Sequence, residues 1–102
     1  MNRIVADKIS HLERLCRKYR VTRMYIFGSA VNGKFDSGSD IDFLIDFAKE
    51  LSAEEYADNY FEFNYELRVL FGRDIDLVTE NSLSNPYFIE SVERTKELIY
   101  AA

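Results

Sequence analysis

The chain has 102 residues, with 13 Lys+Arg against 18 Asp+Glu and a net charge of −5, a length that suits one small domain over residues 1–102 and leaves no room for a second. Hydrophobic residues make up 47 % and aromatics 15 %, with only four Gly and one Pro, so the chain can bury a core and is neither disordered nor of low complexity. The acidity disfavours nucleic acid as the main substrate, since a protein that grips phosphates presents a basic face. One cysteine cannot form an internal disulfide and the apolar stretches are too short to cross a bilayer, so a cytoplasmic protein with no membrane partner is expected.

From about Ile4 to Tyr19, the apolar residues Ile9, Leu12, Leu15, Cys16 and Tyr19 recur at three- and four-residue spacing and predict an amphipathic helix. Arg14, Arg17, Lys18 and Arg20 gather at its C-terminal end, where cations complement the helix dipole. His11 and Cys16 lie within it as surface or packing residues, because no second His and no Cys pair exists to share a metal. Thr22–Phe27 is β-branched and aromatic and reads as a buried strand stopped at Gly28. The run Ser29-Ala30-Val31-Asn32-Gly33 suits one helical turn with Ser29 as N-cap and Gly33 as terminator, and Asp36-Ser37-Gly38-Ser39 is turn chemistry.

Asp40–Phe47 predicts a second strand, with Ile41, Phe43 and Ile45 on one face and Asp40 and Asp42 on the other. Ser52-Ala53-Glu54-Glu55 matches a capping box and opens a helix to about Phe71, with Tyr56, Tyr60, Phe63, Leu67 and Leu70 along one stripe and Gly72 as its stop. Asp74–Val78 predicts a third strand, and Asn85 as cap with Pro86 at the first helical position begins a last helix to about Tyr100. This order implies a small α/β or α+β domain, a short mixed sheet of about three strands packed with three to four helices. Periodic aromatics such as Tyr56, Tyr60 and Phe63, with Tyr87 and Phe88 on the last helix, belong to a core more often than to a nucleobase platform. Any excess left exposed would mark a dimer or partner surface.

The chemistry lies in two acid-rich strands. A carboxylate in an apolar strand is costly unless something offsets it, yet Asp40-x-Asp42 and Asp74-x-Asp76 each place two on one side of a strand. If those strands are neighbours, three or four carboxylates converge, and a hard divalent cation with oxygen ligands is the usual remedy for their repulsion. Solvated aspartates on an open sheet face are the alternative. Gly28-Ser29 directly after a buried strand shifts the balance: glycine allows a close backbone approach, and a serine hydroxyl with free N–H groups suits phosphate oxygens.

The segment FGSAVNGKFDSGSDIDFLID resembles the signature of the DNA polymerase beta-type nucleotidyltransferase superfamily, Gly-Ser followed by Asp-x-Asp. The brevity of the chain, the later IDLV strand and the Asn85-Pro86 helix start resemble its minimal branch, the MNT domain proteins, over about Val5 to Tyr100. The resemblance implies a polymerase beta-like fold in which Gly28 and Ser29 hold the nucleotide triphosphate and Asp40, Asp42 and Asp76 are catalytic and bind two Mg²⁺ ions. Asp76 is preferred to Asp74 because the family's third acid precedes Leu-Val. Many minimal members carry an arginine soon after Gly-Ser; Ala30 and Val31 stand here, and Lys34 and Arg73 are the nearest cations.

A chain this short must borrow its acceptor surface from a partner or from a second copy in a homodimer. By resemblance, the expected activity is transfer of AMP from ATP to a tyrosine of a HEPN-domain toxin, an antitoxin role. The alternatives are a catalytically silent module that blocks its partner stoichiometrically, and a small-molecule transferase of the aminoglycoside-modifying kind.

Overall fold

In the computed structural model, which describes residues 1–102, the N-terminal periodic segment forms two helices, α1 (Arg3–Ala6) and α2 (Ile9–Lys18), where one was expected. Asn2 caps α1 by accepting the N–H groups of Ile4 and Val5, and the Lys8 N–H turns to the Val5 carbonyl at 2.9 Å, an i+3 tightening that ends the first helix. Strand β1 (Val21–Phe27) leads into a single turn, α3 (Ser29–Asn32), and then β2 (Ile41–Phe47). Gly28 occupies the N-cap position of α3, so Ser29 is its first helical residue and not its cap; Gly33 closes the turn in the left-handed region at φ 84°, as expected.

The long helix α4 (Ala53–Phe71) begins at the expected capping box. The Ser52 hydroxyl accepts the Glu55 N–H at 3.1 Å, and the Glu55 carboxylate accepts the Ser52 N–H at 3.0 Å. Strand β3 (Ile75–Thr79) and a 3-10 turn (Glu80–Ser82) precede α5 (Pro86–Thr95), which Asn85 caps by accepting from Tyr87 and Phe88. The last helix stops at Thr95, short of the expected Tyr100. Lys96 turns extended at ψ 139°, and Glu97–Ala101 forms a fourth strand, β4.

The sheet therefore has four strands in the order β3-β2-β1-β4, with β1 antiparallel to both β2 and β4, and β2 parallel to β3. A parallel pair needs a crossover, and α4 supplies it. Ile41, Phe43 and Ile45 join Met24, Ile26, Phe63 and Leu67 in the main core beneath α2 and α4. On the opposite face Phe27, Leu44 and Val92 form a smaller cluster beneath α5. That second cluster explains why Leu44 breaks the expected alternation of β2: both faces of the strand are covered at its middle. No helix is long and apolar enough to cross a membrane.

Candidate active site

The in-register pairing of β2 and β3 sets Asp42 opposite Asp76, with Ile41 opposite Ile75. Because side chains alternate along a strand, the isoleucines enter the main core and both aspartates stand on the α5 side of the sheet. The Asp42 carboxyl is half-buried and faces the Asp76 carboxyl, which is exposed. Burial, followed by the charges of Asp76 and Asp40, pushes Asp42 up from the usual 3.8 to about 6, against the pull of the Ser29 N–H donated to it. Asp40 lies just before β2 on the exposed surface, near enough for its charge to act on Asp42. The three acids do not close into one ligand set, since no trio of His, Cys, Asp or Glu side chains stands close enough to hold a metal ion.

Gly28 meets this carboxylate from the neighbouring strand. Its φ is +73°, and a Cβ built on it would fall 2.3 Å from Asp42 Oδ2. The close approach that glycine permits here is thus to Asp42, and it lets the adjacent Ser29 N–H reach the same side chain. The turn is held from the far side by Thr95 on α5, whose hydroxyl accepts the Gly28 N–H at 3.3 Å and donates to the Ser91 carbonyl at 3.1 Å. Phe88 packs edge-on against Phe27, with ring centroids 6.0 Å apart. The sequence gives no sign of Thr95, which reaches Gly28 only through the tertiary fold.

Asp74 precedes β3, and its carbonyl accepts the Ile41 N–H at 3.2 Å, which fixes the register that brings Asp42 and Asp76 together. Arg73 donates to the carbonyls of Asp36 and Ser39 at 3.2 and 3.0 Å and lies 4.5 Å over the Phe35 ring. It is a staple for the turn that delivers Asp40; Lys34 is exposed in the same connection. Phe63 is core, as its periodicity suggests, while Tyr56 and Tyr60 are half-buried and donate to Asn81 Oδ1 at 3.1 Å and the Leu77 carbonyl at 2.6 Å. Cys16 is buried against Met24, its thiol pushed up to about 12 by burial, an inert packing group. None of the surface cavities is lined by Asp40, Asp42, Asp74 or Asp76, so the acids occupy an open sheet face.

A sequence profile described as a nucleotidyltransferase domain matches residues 8–99. The chain belongs to that family. Among its relatives, MJ1217 of Methanocaldococcus jannaschii, provisionally named a protein adenylyltransferase, is 38 % identical over 92 residues, 88 % of this chain and 86 % of the relative. A solved structure described as a provisional minimal nucleotidyltransferase is 25 % identical with a TM-score of 0.74, covering 91 % of this chain and 90 % of the other. A Shewanella oneidensis complex of a tri-AMPylated HEPN toxin with its MNT antitoxin shares the fold at 21 % identity and a TM-score of 0.65, covering 95 % of this chain and 72 % of that one. The mixed sheet of this nucleotidyltransferase is the fold expected for the minimal branch. The Asp42 and Asp76 pair offers oxygens of the kind a hard divalent cation takes, and a cation there would relieve the burial and the repulsion that raise Asp42, although Asp40 does not complete the set in this structure.

Proposed function

We propose that this nucleotidyltransferase transfers AMP from ATP to a tyrosine hydroxyl of a HEPN-domain toxin, acting in the cytoplasm as its antitoxin. The observation that carries the reading is Asp42 facing Asp76 across β2 and β3 with the Gly28-Ser29 turn closed on Asp42. The open position of these acids supports an acceptor whose binding surface is brought by another protein. The provisional name of MJ1217 supports a protein acceptor, and the Shewanella complex supports a HEPN partner.

In this reading the acceptor oxygen bonds to the α-phosphorus of ATP while the bond from that phosphorus to the bridging β-oxygen breaks, and pyrophosphate leaves. Asp40, Asp42 and Asp76 are the residues to hold two Mg²⁺ ions, which when bound offset the charge of the triphosphate and favour ionisation of the acceptor hydroxyl. Gly28 and Ser29 border the triphosphate and hold Asp42 in position. Asp76, the more exposed of the facing pair, takes the hydroxyl proton on a carboxylate oxygen. The residues thereby supply charge placement and orientation, with no covalent intermediate on the protein.

The test is incubation with α-labelled ATP, CTP, GTP or UTP and Mg²⁺, alone and with a HEPN-domain protein encoded beside this chain, resolved on a denaturing gel. The expected result is label from ATP on the partner, lost in the Asp40→Asn/Asp42→Asn variant while the complex still forms. A stable complex that takes no label from any nucleotide overturns catalysis and leaves stoichiometric blocking. Label on an aminoglycoside supplied in a parallel incubation, and none on protein, overturns the acceptor.

A further inference from the structure

A helix packed on one side of a domain normally buries one stripe and wets the other. Helix α4 departs from this. Its inner side carries Phe63 and Leu67, both fully buried. At about 100° per residue, Ala57, Phe61, Tyr65 and Val69 form a second stripe on the opposite side, and its three large members are 69, 67 and 65 % exposed. Shallow grooves run beside it, one between Tyr60 and Phe61, one between Tyr19 and Tyr65, and one between His11 and Val69. A continuous apolar band of this kind on an outer helix face marks a contact surface.

The charges along α4 identify its occupant. Glu54 and Asp58 lie beside the N-terminal half of the stripe and Arg68 beside its C-terminal half, all exposed. Asp58 and Arg68 take no part in the chain's four ion pairs. When the helix is turned end for end about Phe63, Phe61 exchanges places with Tyr65, Ala57 with Val69, and Asp58 with Arg68. A two-fold axis at the level of Phe63 is therefore compatible with both the apolar and the charged positions of this face. In an antiparallel pair the ring of Phe61 meets Tyr65 of the other copy, Asp58 meets Arg68, and the helix dipoles oppose.

We infer that the outer face of α4 is a homodimer interface of this chain, two copies packing antiparallel about Phe63. The stripe from Ala57 to Val69 is about 18 Å long, so the interface is at the small end of specific contacts and the dimer dissociates on dilution. It lies on the side of the sheet away from Asp42 and Asp76, which it leaves open; the inference stands apart from the proposed acceptor and nucleotide.

Sedimentation velocity on the full chain in EDTA, from about 1 μM to about 1 mM, tests it. The wild type is expected to pass from a 12.0 kDa species to twice that mass as concentration rises. Phe61→Glu and Asp58→Arg each weaken association tenfold or more, and the double variant Asp58→Arg/Arg68→Asp returns it to within about threefold of wild type, with unchanged helical circular dichroism in all three. Because Asp58 and Arg68 are ten residues apart on one helix, that recovery requires a second copy. A wild type that stays monomeric throughout overturns the inference, including one that gains mass only when a HEPN-domain protein is added. So does a dimer indifferent to Phe61→Glu, or a double variant that fails to recover.

Discussion

At Gly28 two demands meet in one residue: a φ of +73°, and the Asp42 carboxylate oxygen only 2.3 Å from where a Cβ would stand. The first costs a non-glycine residue on the order of 1–2 kcal/mol, and the second forces either the turn or Asp42 to move. Gly28→Ala is therefore expected to lower stability by about 2–3 kcal/mol, read as the midpoint of urea unfolding, and to reduce label transfer far more than the lost folded fraction explains. Because the clash is with one side chain, Asp42→Ala should recover about 1 kcal/mol of the loss in a double-mutant cycle. A strictly additive cycle would place the cost in the backbone alone. The sequence shows Gly28, Ser29, Asp40 and Asp42 because they fall in one short segment with recognisable spacing. Thr95 was invisible, since a threonine near the end of a helix has an ordinary local explanation and its bond to Gly28 depends on where α5 docks.

Helix α4 shows what makes an element legible. Its start is set by the reciprocal Ser52 and Glu55 bonds and its end by Gly72 at φ 62°, all determined within a few residues of chain. Ser52→Ala removes the acceptor for the Glu55 N–H and should cost about 1 kcal/mol, a fall in Tm of roughly 4–8 °C for a domain of this size, with nucleotidyl transfer at low temperature unchanged because the cap is remote from Asp42. A smaller fall would mean that packing of Phe63 and Leu67 alone fixes the helix start. The fourth strand had no such local markers. Leu98, Ile99 and Tyr100 continue the apolar pattern of the preceding helix, and a short apolar run is ambiguous between helix and strand. Pairing with β1, where Met24 lies opposite Tyr100 and Tyr25 opposite Leu98, decides it, along with burial of Ile99. The break between α1 and α2 was hidden for the same reason, since both short helices keep the periodicity of one long one.

Across the whole molecule, the acids of β2 and β3 link folding to protons and to metal. The Asp42 pKa of about 6 lies above its unfolded value near 3.8, so the folded chain holds the proton more tightly than the unfolded one. Its contribution to stability therefore falls as pH rises from about 3.8 to about 6 and stays lower above it, the reverse of Glu55 and Glu66, whose hydrogen bonds hold them below the usual carboxylate range. Asp42 is only half-buried, and solvent screening brings the effect down to about 1 kcal/mol. In EDTA, Asp42→Asn is accordingly expected to melt roughly 4–8 °C above wild type at pH 8, the gap closing toward pH 4 where the wild-type carboxyl is itself neutral. Mg²⁺ should act with the opposite pH dependence, raising the wild-type Tm at pH 8 by preferential binding to the folded state and much less at pH 5, where protons compete for the same oxygens. Asp42→Asn should lose most of that gain, whereas Phe61→Glu, on the far side of the sheet, should keep it. Melting curves of the three proteins at pH 5 and pH 8, with and without Mg²⁺, separate these effects. A metal response that survives Asp42→Asn would place the cation away from the β2–β3 pair, and an Asp42→Asn variant no more stable than wild type at pH 8 in EDTA would mean that Asp42 is not held against its charge.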